Sequence, residues 1–251
     1  MNVTHAMVLA AGLGTRMRPL TLTTPKPLIK VAGRTLLDWA LDNLSTAGVE
    51  HAVVNLHHLG AQIKAHLNLR TYPQVTTVYE DPLLETGGGV QNALAHLGAA
   101  PFFVMNSDGL WIDDDFNDPA LRRMAEVWDD AKMDALLLLH DPVKAFGYDG
   151  PGDFMLDADG RLARRDKSAT HDRTKIHPQA PAQVFTGVQL LHPRLFKDAP
   201  GGIYSLNVLY DRALSHGRLF GLTHAGEWHH VGTPEALEES NRHLHNLGWG
   251  A

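Results

Sequence analysis

The sequence predicts an α/β fold: a three-layer domain with a mostly parallel central sheet and helices on both of its faces. Two observations carry this expectation. Over roughly the first 140 residues, short apolar runs alternate with stretches of helical periodicity, the pattern of successive strand–helix units. Most of these runs are apolar throughout rather than alternating with polar residues, as strands buried on both faces must be.

The elements follow in order. Residues 7–11, Met-Val-Leu-Ala-Ala, form the first strand, and a proline-punctuated loop runs from Gly12 to Pro27. Leu36, Leu37, Ala40, Leu41, Leu44 and Ala47 recur at helical spacing, with Gly48 as the C-terminal stop. Strands are expected at 51–56 and 75–79, with a helix at 59–67 between them. A helix at 89–97 precedes an apolar strand at 100–105, which runs straight into Asn106-Ser107-Asp108. A helix at 119–132 and a buried strand at 135–139 close this half, and right-handed crossovers follow. Beyond it, residues 154–162 read as a β-hairpin around Asp157-Ala158-Asp159-Gly160, and 164–181 as a basic, irregular loop. A strand at 184–191 follows, then a helix at 206–214 with Ser205 as its N-cap. Thr233-Pro234-Glu235 opens the last helix with a cap, a proline at the first position and an acid in the first turn.

A chain of 251 residues, 44% hydrophobic, has ample core for one domain and shows no repeat, linker or low-complexity tract. The net charge of −6 leaves no general basic face, which argues against a nucleic-acid partner but not against small anions held by a local cluster of cations. Without cysteine, disulfides, thiolate metal sites and a cysteine nucleophile are excluded. Residues 1–5 lack the features of a signal peptide, and no apolar run approaches the roughly 20 residues of a membrane span. A cytoplasmic protein with no membrane partner is expected.

The glycine loop carries the chemistry. Gly12-Leu13-Gly14-Thr15-Arg16-Met17-Arg18 follows directly on the first strand. A dinucleotide fingerprint needs a third glycine where Met17 stands, and a G-K-[ST] phosphate loop is missing, so a dinucleotide-dependent oxidoreductase is disfavoured. What remains is a glycine turn whose N–H groups can face a phosphate, with Arg16 and Arg18 beside it. Pro25 and Pro27 stiffen the backbone around Lys26 and hold that side chain in one direction.

The run Leu9-Ala10-Ala11-Gly12-x-Gly14-Thr15-Arg16-x-Arg18-Pro19-Leu20-Thr21, followed by Pro25-Lys26-Pro27-Leu28, resembles the signature of the sugar-1-phosphate nucleotidylyltransferases. The resemblance implies a Rossmann-like fold of the nucleotide-diphospho-sugar transferase type with a sugar-binding hairpin and loop subregion. Residues 1–140 would be the nucleotide-binding part, 141–232 the sugar-binding part and 233–251 a C-terminal helix of one domain. It implies as substrates a nucleoside triphosphate and a sugar 1-phosphate, with Mg²⁺ as cofactor. Leu9, Ala11, Gly12, Gly14, Thr15, Arg16, Gly87, Gly88 and Asp108 would bind the nucleotide. Arg16 would hold the triphosphate and the departing pyrophosphate, and Lys26 would bridge the reacting phosphates; these two are the catalytic residues. The need for cations is physical: at ~4 Å and an effective dielectric of ~20, each pair of unit charges repels by about 4 kcal/mol, and two polyanions meet here. Catalysis is then positioning and charge neutralisation, with no base required.

Asp108 ends an apolar strand, where α/β sheets place ligand-binding groups, and by resemblance it holds the metal. The family's second metal carboxylate lies in a W-x-D-x-G-T segment, but this chain reads Trp228-His229-His230-Val231-Gly232-Thr233, with His230 in the aspartate's place. Imidazole is a poor Mg²⁺ ligand and suits softer ions. A one-carboxylate Mg²⁺ site, a softer metal and impaired catalysis all remain open, the last leaving a silent regulatory nucleotide-sugar binder as an alternative function. The pairs His57-His58 and His243-x-His245 are expected at the surface.

Leu84-Glu85-Thr86-Gly87-Gly88-Gly89, read as a loop before a helix, would let the backbone approach a base edge. Its form is similar to that of the uridylyltransferases acting on N-acetylmuramate 1-phosphate in bacterial peptidoglycan recycling, which points to UTP; guanylyl and glucose-1-phosphate types are the alternatives. On the sugar side, Asp166-Lys167-Ser168 resembles the family's E-K-P segment, and Phe146-Gly147 and Phe185-Thr186-Gly187 match sugar-pocket positions. Gly147, Asp166, Lys167 and Thr186 are thus the expected sugar-phosphate residues, and a basic rim would suit a sugar bearing a carboxylate.

Overall fold

The computed structural model describes residues 1–165 and 182–250. In chain order the elements are β1 (His5–Leu9), β2 (Lys30–Val31), β3 (Arg34–Thr35), α1 (Leu36–Thr46), β4 (His51–Leu56), α2 (Gly60–Leu67), β5 (Gln74–Tyr79), α3 (Glu85–Ala93), β6 (Phe102–Asn106) and β7 (Gly109–Ile112). They continue as α4 (Ala120–Val127), β8 (Ala135–His140), β9 (Phe154–Leu156), β10 (Leu162–Arg164), β11 (Val184–Leu191), α5 (Asn207–Ser215), β12 (Leu219–Thr223), β13 (Glu227–His230) and α6 (Pro234–Asn246).

Seven strands form the central sheet in the order β12-β8-β11-β6-β1-β4-β5. Neighbours are parallel except β11, which runs antiparallel to both β6 and β8. The expectation of a mostly parallel sheet therefore holds. From β1 the chain builds β4 and β5 on one side and then returns to place β6 on the other. That reversal opens a crevice at the carboxyl ends of β1 and β6, where open α/β sheets bind ligands. Leu9 pairs with Asn106, so the glycine loop and Ser107-Asp108 leave the sheet side by side.

Alternation along each strand sorts its side chains to two faces. Ala6, Val8, Ala52, Val54, Phe103 and Met105 pack on α1, α2 and α4, against Leu37, Leu41, Ile63 and Met124. Met7, Val53, Phe102 and Val104 pack on α3 and α5, against Val90, Ala93, Leu209 and Ala213. A third cluster lies outside the sheet, where Met17, Leu36, Trp39, Leu110, Val231 and Leu244 gather beneath the glycine loop. Met17 is wholly buried there. The residue that breaks the dinucleotide fingerprint is thus a core residue.

Thr35 caps α1 by accepting the Asp38 N–H at 3.0 Å, a contact of the kind worth about 1 kcal/mol. Thr233 caps α6 in the same way, accepting from Ala236 at 3.2 Å with Pro234 behind it, as the sequence leads one to expect. Other boundaries differ from expectation. Helix α3 starts at Glu85, four residues early, and takes the three glycines into its first turns. Helix α4 stops at Val127 because Trp128 turns extended. Helix α5 starts at Asn207 with Leu206 at its N-cap, while the Ser205 hydroxyl receives the Asn207 N–H at 3.3 Å from one position further out. Strands β2, β3, β7, β12 and β13 are additions to the elements read from the sequence. Among them β7 and β13 form a separate antiparallel ribbon, pairing Gly109 with His230 and Trp111 with Trp228. No helix among the described residues is long and apolar enough to cross a membrane.

Candidate active site

A cleft of about 330 Å³ lies at the carboxyl ends of β1 and β6. Leu9, Ala11, Gly12, Gly14, Thr15, Arg16, Lys26 and Asp108 all line it, so eight of the expected residues from distant parts of the chain meet there.

The floor is fixed by hydrogen bonds. Ser107 donates its hydroxyl to the Leu9 carbonyl at 2.7 Å and its N–H to the same oxygen at 3.2 Å, tying the end of β6 to the end of β1. The Ala10 N–H donates to Asn55 Oδ1 at 2.6 Å, and Asn55 Nδ2 donates in turn to Glu80 Oε1 at 2.6 Å. Glu80 Oε2 accepts the Leu84 N–H at 2.9 Å just before α3. Asn55 and Glu80 are both buried. A buried carboxylate satisfied in this way links the strand end beside the cleft to the helix on its far wall.

The glycine loop folds on itself. Gly14 has φ +61, and a Cβ there would come within 2.8 Å of Thr21 Cγ2 and 3.1 Å of Lys26 Cβ. Only glycine allows both the left-handed turn and the close approach. The Thr21 hydroxyl donates to the Gly14 carbonyl at 2.8 Å and locks the arrangement. Arg16 and Arg18 stay exposed, and neither has an ion-pair partner among the described residues.

Lys26 is only 11% exposed along its side chain, and its Nζ donates to Asp108 Oδ2 at 3.1 Å. Pro25 is extended and Lys26 to Leu28 form one tight turn, so the flanking prolines aim the lysine inward. Burial by itself would raise the Asp108 carboxyl, but Lys26, His230 and Arg16 together hold it below the usual carboxylate range. His230 reaches this point because the ribbon pairs it with Gly109, next to Asp108, and the Val231 N–H donates to the Asp108 carbonyl at 3.2 Å. Burial lowers the His230 imidazole; Asp108 opposes that shift, while Lys26 and Arg16 reinforce it, so the ring is neutral at pH 7.

The other expected residues stand further back. Gly87 and Gly88 do not line the cleft; their N–H groups donate to the Tyr204 carbonyl at 2.8 and 3.1 Å. A Cβ at Gly87 would lie 2.3 Å from the Tyr204 ring, and one at Gly88 2.1 Å from the Gly202 carbonyl oxygen. The glycines are therefore part of a helix that another segment packs against, not an open loop, and Thr86 before them lines the cleft. Gly147 has φ +66, with Ala236 Cβ and the His230 carbonyl each 2.7 Å from where a Cβ would sit. Thr186 is buried and donates its hydroxyl to the Leu138 carbonyl at 2.8 Å, beside a bulge in β11. Asp166 and Lys167 lie outside the described residues. Asn55, Glu80, Asn106 and Tyr204 were not singled out in the sequence, although a polar residue inside the apolar run 51–56 is a signal for the first of them. Likewise His243 does not merely sit at the surface: it is half-buried, with Nε2 3.0 Å from Glu227 Oε2.

As a donor set, Asp108 offers one hard carboxylate oxygen kept ionised by its surroundings, and His230 a neutral imidazole. One carboxylate with room for phosphate oxygens and water fits Mg²⁺, which is held in this manner beside phosphates.

Comparison with known proteins identifies the family and the fold. Residues 6–147 match the MobA-like NTP transferase domain. The N-acetylmuramate alpha-1-phosphate uridylyltransferase of Caulobacter vibrioides is 42% identical over 236 residues, spanning 92% of this chain and 93% of that protein. Its counterpart in Neisseria meningitidis is 36% identical, over 94% and 96% of the two chains. Among solved structures, a UDP-glucose pyrophosphorylase complexed with UDP-glucose shares the fold with a TM-score of 0.76 at 18% identity, covering 98% of this chain and 99% of its own. The chain belongs to the MobA-like NTP transferases and, among them, to the sugar-1-phosphate nucleotidylyltransferases.

Proposed function

We propose that this enzyme transfers UMP from UTP to the 1-phosphate of N-acetylmuramate, forming UDP-N-acetylmuramate and pyrophosphate, with Mg²⁺ as cofactor. The observation that carries the reading is the convergence of Lys26, Asp108 and Arg16, which has no ion-pair partner among the described residues, on one cleft whose floor is the glycine turn. The choice of nucleotide and sugar rests on the two relatives that carry those substrates in their names. On this reading the enzyme works in the cytoplasm, in the recycling of peptidoglycan sugars.

An oxygen of the sugar phosphate attacks the α-phosphorus of UTP, and the bond from that phosphorus to the bridging oxygen of the pyrophosphate breaks. The attacking oxygen is already ionised, so the chain need supply no base. Leu9, Ala11, Gly12, Gly14 and Thr15 shape the nucleotide side, and Gly87 and Gly88 act from behind by letting α3 pack so that Thr86 faces the base. Arg16 holds the triphosphate and then the pyrophosphate, while Lys26 lies between the reacting phosphates; both act by fixed positive charge. Asp108, with His230 beside it, holds the ion, which supplies further charge neutralisation when bound. Gly147, Asp166, Lys167 and Thr186 belong to the sugar-phosphate side. There Gly147 sets the close approach of the 146–147 segment to β13 and α6.

Measuring pyrophosphate release with each of the four nucleoside triphosphates against the α-1-phosphates of N-acetylmuramate, N-acetylglucosamine and glucose tests the proposal. UTP with N-acetylmuramate 1-phosphate should give the highest kcat/KM. Faster turnover of another pair would reassign the substrates, and absence of turnover with every pair would overturn the reading.

A further inference from the structure

We infer that Glu227, His229 and His243 form a second metal site, for a divalent transition ion of the zinc class, on the face of β13 opposite His230. Residues 227 and 229 project to one side of the strand and 228 and 230 to the other, so this cluster is separate from the Asp108 site. His243 comes from the last turns of α6, and the candidate ligand atoms of the three residues all lie within 4.8 Å of one another. Glu227 Oε2 is 3.3 Å from His229 Nε2 and 3.0 Å from His243 Nε2. Zinc–ligand bonds of about 2.0–2.1 Å put tetrahedral ligand atoms roughly 3.3–3.4 Å apart, close to both of these separations.

A second observation distinguishes this group from a chance cluster. The His229 side chain is fully buried, yet its Nδ1 is held by the Ser240 hydroxyl at 3.2 Å, which turns Nε2 toward Glu227 and His243. Fixing a ligating imidazole through its other nitrogen is the usual outer support of a zinc site. The Phe146 ring stacks on His229 with centroids 4.4 Å apart and 9° between planes, and it lies 4.3 Å from His243. Glu227 and His243 keep about a third of their side chains exposed, and Glu227 also lines a second cleft of about 420 Å³. An ion can reach the site from there. Two imidazoles and a carboxylate suit Zn²⁺ or Co²⁺ and not Mg²⁺.

Bound there, the ion would clip β13 to α6. Phe146 is already laced to β13, its N–H donating to the Trp228 carbonyl at 3.0 Å and its carbonyl accepting the His230 N–H at 2.8 Å. The clip would therefore brace the segment that ends in Gly147 and stiffen the wall beside His230. It contributes no group to the reaction.

The full chain, stripped of metal and without nucleotide, is titrated with Co²⁺ and then Zn²⁺. One Co²⁺ per chain should bind with the intense visible absorption of a tetrahedral site, and Zn²⁺ should displace it and raise Tm. E227Q and H243A should weaken the ion by roughly 100-fold or more, and S240A by about tenfold, the scale for loss of an outer support. H243Q, whose amide can still donate to Glu227, preserves the hydrogen-bonded packing and should also lose the ion, separating ligation from folding. D108N should bind it as the parent does. No tetrahedral Co²⁺ signal, affinity unchanged in E227Q and H243Q, or affinity lost in D108N would each overturn the inference. None of these readouts depends on turnover, so the result stands apart from the substrate assignment.

Discussion

Replacing Lys26 by methionine keeps an unbranched side chain, one atom shorter, and removes its charge. The ammonium lies 3.1 Å from Asp108 Oδ2 with 11% of the side chain exposed, so its field is weakly screened. At ~4 Å and an effective dielectric of ~20, one charge pair is worth about 4 kcal/mol. Part of that attraction already exists for the ground-state phosphates, and only the remainder that grows as charge moves onto the bridging oxygen lowers the barrier. Removing one preorganised donor of this kind costs about 2.7–4 kcal/mol, or 10²–10³ in kcat. Steady-state pyrophosphate release should show that loss, with a smaller change in KM for UTP. A change in kcat below tenfold would refute the role. The pH profile gives a second reading. Burial raises Asp108 and Lys26 leads the groups holding it down, so the carboxylate is present above its pKa and lost as pH falls through it. Without Lys26 that loss begins at a higher pH, and the acid limb of kcat/KM should move upward.

The remaining predictions probe other parts of the argument. His230→Asp should lower the Mg²⁺ concentration for half-maximal activity by roughly tenfold and reduce any advantage of Mn²⁺ or Co²⁺, as a second hard oxygen replaces an imidazole; an unchanged metal profile would place His230 away from the ion. Gly87→Ala drives a methyl to 2.3 Å from the Tyr204 ring. It should destabilise the fold by about 1–3 kcal/mol in urea unfolding, the scale of overpacking. Burial pushes both His224 and His229 down to about 4 from an ordinary value near 6.5. The unfolded chain then binds more protons, so their contribution is complete above about pH 6.5 and is lost as pH falls toward 4. Metal-free protein should lose on the order of 1–2 kcal/mol per histidine between pH 7 and 5; a flat profile would contradict their neutral burial.

Much of the fold was legible because strand and helix periods differ and the strands of the first half are buried on both faces. The strand 51–56 and the α6 cap appear where apolar runs and the Thr233-Pro234 pair put them. What escaped reading depends on contacts far apart in sequence. Three glycines look like a loop, and each costs about 1 kcal/mol in a helix relative to alanine. They lie in α3 because the 202–204 segment and Glu80 approach where a Cβ would stand, which residues 84–89 alone do not reveal. The ribbon of β7 and β13 was missed for a similar reason. The strand after the Asp108-Gly109 turn is only four residues long, and Glu227-Trp228-His229-His230 is too polar to read as a strand until Trp228 meets Trp111. At the site, Arg16 and Lys26 could be found from local stiffness and charge, whereas Glu80 and Asn55 act through hydrogen bonds that span 25 and 45 residues.

The histidine at 230 changes how the charge work is divided. A neutral imidazole stands where the family pattern has an aspartate, so Lys26 and Arg16 face one carboxylate instead of two. The cleft thereby keeps an excess of one positive charge that a second carboxylate would cancel. Two polyanions must come together in it, and the excess lowers their mutual repulsion before any ion contributes. On the proposed mechanism the same exchange leaves one hard ligand fewer for Mg²⁺. More of the neutralisation then falls on Lys26 and Arg16, which is why their loss should be felt in kcat rather than absorbed by the metal. It also means that His230→Asp is not a simple repair: firmer metal binding comes with a weaker hold on the sugar phosphate, and KM for that substrate should rise as the metal requirement falls.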